Sequence, residues 1–150
     1  MSEFELLTDW PECSVSVVGI VIQDELQRAV IQLRDNFPNV GAGGRWGMFG
    51  GHMEDGETTL ETAMRELTEE TGLEVDANCL MPFVRFVPRD GYQAYHYIYH
   101  LQKPIAPKQI AISEGAGFAF ITYSQMRDFD MLPSNILVLN HLHRLNKFAI

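Results

Sequence analysis

Residues 13–22, CSVSVVGIVI, are dense in Val and Ile and predict a buried strand, and residues 28–34, RAVIQLR, alternate as its hairpin partner would across the turn QDELQ. The stretch 35–45, DNFPNVGAGGR, is turn-rich and predicts an exposed loop leading into WGMFGG. Two aromatic and β-branched runs, 80–87 (LMPFVRFV) and 92–101 (YQAYHYIYHL), flank PRDG and predict a second hairpin. A last strand is expected over 116–123, AGFAFITY, with Ser124 as the N-cap of a short helix. Beyond Pro133, apolar residues at Ile136, Leu137, Leu139, Leu142, Leu145 and Phe148 predict a terminal packing helix. Strands outnumber helices, and the helices fall between and after them, so the fold class is α/β, a mixed sheet covered by helices.

The strongest helix signal lies between the two predicted hairpins. Thr58 and Glu61 form a T-x-x-E capping box, Gly72 sits where a left-handed C-terminal residue belongs, and the helix runs from about Thr59 to Thr71. Leu60, Ala63, Met64, Leu67 and Thr71 form one buried stripe, centred near about 350° on a wheel of about 100° per residue. On the same wheel Glu66 falls near about 240°, Glu69 near about 180° and Glu70 near about 280°. Three carboxylates are thus expected to converge on one flank at the border of the core. An ordinary solvated acidic face fits this badly, because like charges at i,i+4 repel and do so more strongly at a desolvated edge. Arg65 reaches Glu61 or Glu69 at i,i+4 but cannot neutralise every carboxylate. A divalent cation can, and all-oxygen ligands favour Mg²⁺ or Mn²⁺ over Zn²⁺.

The 150 residues match one domain, 1–150, and the 46% hydrophobic content without low-complexity tracts reads as globular. A net charge of -9 opposes affinity for a nucleic-acid polymer, while a small phosphorylated ligand is still accommodated if a bound cation inverts the local field. Cys13 and Cys79 lack metal or disulfide spacing and read as small apolar residues in a reducing compartment. No signal peptide or membrane-length apolar run is present, so a cytoplasmic location without membrane contact is expected. There is no EF-hand loop pattern to make this a calcium buffer.

The acidic segment resembles the Nudix box, G-x5-E-x7-R-E-U-x-E-E-x-G-U with U a bulky apolar residue. Gly51, Glu57, Arg65, Glu66, Leu67, Glu69, Glu70, Gly72 and Leu73 fill every position, a match with chance odds on the order of one in ten million. The resemblance implies a Nudix α/β/α sandwich, a mixed β-sheet flanked by helices. It implies a pyrophosphohydrolase that cleaves the P–O–P bridge of a nucleoside diphosphate linked to another moiety, in the nucleoside triphosphate or nucleotide-sugar range. Glu66, Glu69, Glu70 and the Gly50 carbonyl would hold Mg²⁺, with Mn²⁺ as a substitute. Glu66 is also a candidate general base, and Glu57 with Arg65 is the supporting pair. Glu114, in SEGAG, matches a position where some nucleotide-pool-cleansing relatives carry a further metal-binding or basic glutamate. Partners implied are a small nucleotide and a second copy in a homodimer. A non-catalytic nucleotide sensor of the same fold is the alternative, although such proteins often lose the glutamates.

Phe49 stands where many family members have Pro, giving FGG for PGG, and is read as a core residue. Tyr95 heads an alternating row with Tyr97 and Tyr99, which either stacks on a base or packs the sheet. His96 and His100 share the other face about 13 Å apart, too far to bind one metal. Arg34 and Arg45, together with Arg85 and Arg89, are candidates for phosphate oxygens, since a guanidinium grips them in bidentate fashion. His52 is a weaker candidate of the same kind, and Trp46 is expected to pack the base of the loop.

Overall fold

The computed structural model describes residues 4–7, 12–35, 43–89, 91–113 and 115–150. Its elements are β1 (Glu5–Leu6), β2 (Ser16–Val21), β3 (Ala29–Leu33), β4 (Trp46–Gly47), β5 (Phe49–His52), α1 (Thr59–Thr71), β6 (Leu80–Phe86), β7 (Tyr95–Leu101), β8 (Gly117–Ile121) and α2 (Pro133–Arg144). One sheet has the order β1-β6-β7-β2-β5 and a second the order β4-β3-β8. The larger sheet is mixed. β2 runs parallel to β7 and antiparallel to β5, while β6 and β7 form the expected hairpin with an irregularity between Pro82 and Val84, where proline removes a ladder donor.

The period of two along β2 and β7 sends alternate side chains into two apolar layers. On one side Val18, Ile20 and Tyr99 pack with Ala63 and Leu67 of α1. On the other Val21, Ile98 and Phe86 pack with Val138, Leu139 and Leu142 of α2. Helix, sheet and helix therefore stack as an α/β/α sandwich. Among the described residues, no helix is long and apolar enough to cross a membrane.

Three local expectations are corrected. β2 and β3 meet only at the root of their turn, where Gln23 bridges Ala29 and the Val30 N–H donates to the Ile22 carbonyl at 2.9 Å, and then diverge into different sheets. Most residues of each strand are buried, so each takes other neighbours that cover both of its faces rather than a simple ribbon with one wet side. Ser124 caps no helix, since Gln125 precedes a single 3₁₀ turn at Met126–Asp128 and its Oε1 accepts from the Thr122 N–H at 2.9 Å. α2 begins at Pro133 as expected but stops at Arg144. Asn146, at φ 57°, turns the chain, so Phe148 reaches the core from beyond the helix.

α1 has both predicted ends. The Thr58 hydroxyl accepts from the Glu61 N–H at 3.1 Å, Glu61 Oε1 accepts from the Thr58 N–H at 3.2 Å, and Gly72 closes the helix at φ 72°. Such a cap contributes about 1 kcal/mol. It also fixes where the first turn stands relative to β5, which positions the acidic flank.

Candidate metal centre and substrate cleft

The loop after β5 is tied to α1 by one arginine. Arg65 donates from Nε to Glu57 Oε2 at 2.7 Å and from Nη2 to Glu57 Oε1 at 2.9 Å, the two-point grip that a planar guanidinium gives a carboxylate. The same Nη2 donates to the His52 carbonyl at 3.1 Å, which locks the end of β5 to the helix. Thr62, fully buried, donates its hydroxyl to Glu57 Oε1 at 3.0 Å. These bonds, with Arg65 the largest influence, hold the Glu57 carboxyl down at about 2, and Glu57 in turn raises Arg65 further above its ordinary value. Arg65 does not pair with Glu61, which the capping box occupies, but extends Nη1 to Glu66 at 2.9 Å and Glu69 at 3.2 Å.

Glu70 faces inward, with 6% of its surface exposed. Its Oε1 accepts from the Gly50 N–H at 2.8 Å and its Oε2 from Gln32 Nε2 at 2.7 Å. Burial pushes its carboxyl up to about 7 against the pull of those two donors, and the neighbouring Glu66 adds to the rise. Gly51 lies against Glu66. A Cβ there would fall well inside contact distance of the Glu66 carboxylate, so the acidic group is pressed onto the bare backbone of β5.

The full convergence expected from the wheel is not reached. Among the described residues no three His, Cys, Asp or Glu side chains share a position that would hold a metal ion. The carboxylates are instead divided between two sets of partners: Arg65 pairs with Glu66 and Glu69, while the Gly50 N–H and Gln32 donate to Glu70. The donor set nevertheless fits a hard divalent cation, because Glu66 and Glu70 crowd one another beside a glycine backbone with carboxylate oxygens alone. Glu114 lies outside the described residues.

On the α2 side of the sheet a cleft of about 580 Å³ opens beside β5. Val17, Gly19 and Ile98 form part of its floor, Arg34 and Arg45 lie along it, and Ser134 and Asn135 line it from the first turn of α2. Gly50 and Gly51 border both this cleft and the carboxylates, so the two regions meet at β5. Arg45 donates from Nη2 to the Met131 carbonyl at 2.9 Å and reaches Asp130 at 3.3 Å. Tyr95 is not among the lining residues. It alternates with His96 on β7, so it shares the α1-side face with Tyr97 and Tyr99, whose rings meet Phe4 edge to face.

Phe49 is fully buried in the α1-side core, and Trp46 packs edge to face on Phe129 with ring centres 5.0 Å apart. His52 lines the cleft and shares a 2.9 Å hydrogen bond with the Tyr92 hydroxyl. Three participants escaped the sequence reading: Gln32, Tyr92 and Asn135. Gln32 is a 4% exposed amide within an apolar strand, and a polar residue breaking an otherwise apolar run was the available signal. Asn135 accepts from the Met48 N–H across 87 positions, a pairing with no local trace in the sequence.

Comparison with known proteins follows the same lines. A mouse (Mus musculus) oxidized purine nucleoside triphosphate hydrolase is 58% identical over 33 residues, 22% of this chain and 21% of its own length. A MutT-like protein of Streptomyces ambofaciens is 35% identical over 78 residues, 52% of this chain and 46% of its own. These matches thus span about a fifth and less than half of the two relatives. Among solved structures, the MutT protein of Methanosarcina mazei Go1 superposes with a TM-score of 0.69 at 18% identity, covering 98% of this chain and 99% of that one. The E. coli dihydroneopterin triphosphate pyrophosphohydrolase gives 0.61 at 20% identity over 84% and 92%. At these identities the structures speak for the fold. The NUDIX domain itself matches residues 14–139, which takes in β2 to β8, the acidic helix and most of α2, and the chain therefore belongs to the Nudix family.

Proposed function

We propose that the chain is a Mg²⁺-dependent pyrophosphohydrolase, with Mn²⁺ as a substitute, acting on a nucleoside diphosphate linked to another moiety. The substrate range is that of nucleoside triphosphates or nucleotide sugars. The observation that carries this reading is the Arg65–Glu57 grip on α1, the helix whose Glu66 and Glu70 meet Gly51 and Gly50 at the rim of a cleft large enough for a nucleotide, with Glu69 paired to the same arginine.

Glu66, Glu69, Glu70 and the Gly50 carbonyl would hold the cation, with Glu114 as a further ligand or base. When bound, a divalent cation neutralises phosphate oxygens and makes a bound water more acidic. Glu66, whose carboxylate lies against Gly51 of the cleft lining, would accept the proton of a water attacking phosphorus, while the bridging P–O bond breaks and its oxygen leaves with the departing phosphate. Arg34 and Arg45 lie along the cleft and supply positive charge to phosphate oxygens, and the apolar floor between them and β7 takes the base. Reaction at a phosphoryl centre asks mainly for positioning and charge stabilisation, and the locked loop and helix supply both.

A panel of nucleoside triphosphates and nucleotide sugars, incubated with and without Mg²⁺ and analysed for products, tests the reading. We expect cation-dependent cleavage of one compound class, reduced at least about 100-fold by Glu70→Gln, the scale of loss for a removed electrostatic group. Tight nucleotide binding with no product in any condition would instead establish a sensor.

A further inference from the structure

We infer that His96 selects the substrate by accepting, at Nε2, a hydrogen bond from an N–H of the base or an O–H of the ribose. The inference rests on the nucleotide reading above and adds a residue that the acidic helix does not supply.

His96 points to the cleft side of β7 and is 7% exposed. Two contacts fix its ring. It stacks on Phe86 with centres 4.9 Å apart and planes 20° from parallel, and its Nδ1 lies 2.9 Å from the Ala94 carbonyl. A carbonyl oxygen can only accept, so Nδ1 must carry the hydrogen, and Nε2 of the neutral ring presents a lone pair. Among the described residues no protein group bonds to Nε2. Burial, the leading cause, lowers the imidazole's affinity for a second proton, which keeps that lone pair available near neutral pH.

His100 shows the contrast. It lies on the same face of the same strand, but its Nε2 is 2.8 Å from Gln23 Oε1, so that imidazole is spent on the protein's own structure. His52 and Tyr92, at the same end of the cleft as His96, bond to each other. His96 is thus a largely buried ring with a fixed orientation, a back bonded to the protein and a front whose acceptor opens on a cleft floored by Val17 and Ile98. Nε2 is open to the cleft, so a ligand that covers it takes its lone pair from water: one that brings a donor replaces the lost hydrogen bond and is favoured, and one that brings a carbonyl oxygen meets lone pair against lone pair.

The test measures kcat and KM for ATP against ITP and CTP against UTP, each as the ribo and 2′-deoxy form, in the wild type and two variants. The base pairs exchange donor and acceptor on one edge, and the deoxy forms remove a ribose donor. We expect the wild type to favour one member of a pair by about tenfold in kcat/KM. His96→Phe keeps a ring on Phe86 but has no lone pair, and we expect it to flatten that preference to within about twofold through KM, with kcat held. His96→Gln returns a carbonyl oxygen to the position of Nε2 and recovers the preference. Loss in a base pair assigns the donor to the base, and loss in a ribo-deoxy pair assigns it to the sugar. Independently of any variant, the ¹⁵N resonance of His96 Nε2 should move upfield when the preferred nucleotide binds. An active His96→Phe enzyme that keeps its discrimination, or an Nε2 resonance that does not respond to the nucleotide, overturns the inference alone. Absence of both turnover and binding for the whole panel overturns the nucleotide reading and this inference with it.

Discussion

Arg65 does with one planar group what an ammonium cannot do: it grips Glu57 at two points while reaching Glu66, Glu69 and the His52 carbonyl. Arg65→Lys keeps the charge and loses the fork. We expect kcat/KM to fall by at least about tenfold, because small errors in placing a catalytic carboxylate are amplified in rate, while steady-state kinetics and thermal unfolding show a protein that still folds. His100 makes a prediction about pH. Burial first, and the charge of Lys147 second, depress its imidazole to about 4 from an ordinary 6.5. The unfolded chain therefore takes up a proton that the folded one refuses. The contribution of neutral His100 is fully present above pH about 6.5 and is lost as pH falls toward about 4. Urea unfolding of wild type and His100→Gln should show the wild type losing up to about 2 kcal/mol more than the variant between pH 7 and 4.5, a figure reduced for its partial exposure. Parallel curves would rule out the buried neutral ring. At this scale the acidic cluster was legible because helical spacing and a fixed motif place it locally. The Gln32–Glu70 and Met48–Asn135 bonds were not legible, since each joins distant positions and depends on the finished packing.

The elements were legible where their signals are local. α1 declares itself by a cap at each end and one apolar stripe, and the β6–β7 hairpin by two runs around a turn. The relation of β2 to β3 was misread because alternation identifies a strand without naming its neighbour, and the parallel pairing of β2 with β7 brings together segments separated by more than 70 positions. The cap invites a direct measurement. Thr58→Ala removes the acceptor for the Glu61 N–H, and urea unfolding should show a loss of about 1 kcal/mol with turnover unchanged well below the melting temperature. β5 provides a sharper contrast between neighbouring glycines. Gly50 has φ 153° and is paired with Gly19 in the ladder, and a Cβ on it would strike the Val18 carbonyl, so Gly50→Ala should fail to fold or melt far below the wild type. Gly51→Ala strikes only the Glu66 carboxylate. It should keep the far-ultraviolet circular dichroism of the wild type and lose most of its activity. Equal damage from both would mean that Glu66 is not poised against β5.

At the scale of the whole molecule, a chain of net charge -9 gathers Glu57, Glu66 and Glu69 around a single arginine and buries Glu70 beside Glu66, an arrangement with an electrostatic cost that a cation would relieve. Binding to the folded state alone adds RT ln(1 + [L]/Kd), about 2.7 kcal/mol at a hundredfold excess over Kd. For a domain of this size that corresponds to a rise in melting temperature of roughly 5–10 °C. Mg²⁺ should therefore raise the melting temperature along a saturable curve, whereas NaCl at matched ionic strength, which screens the general repulsion without occupying a site, should raise it little. Glu69→Gln separates site binding from screening: this side chain is 55% exposed, so neutralising it leaves both core layers intact. The variant should retain the small response to NaCl and lose most of the response to Mg²⁺. A wild type that responds equally to the two salts, or a variant that follows the wild-type Mg²⁺ curve, would mean that the carboxylates serve only Arg65.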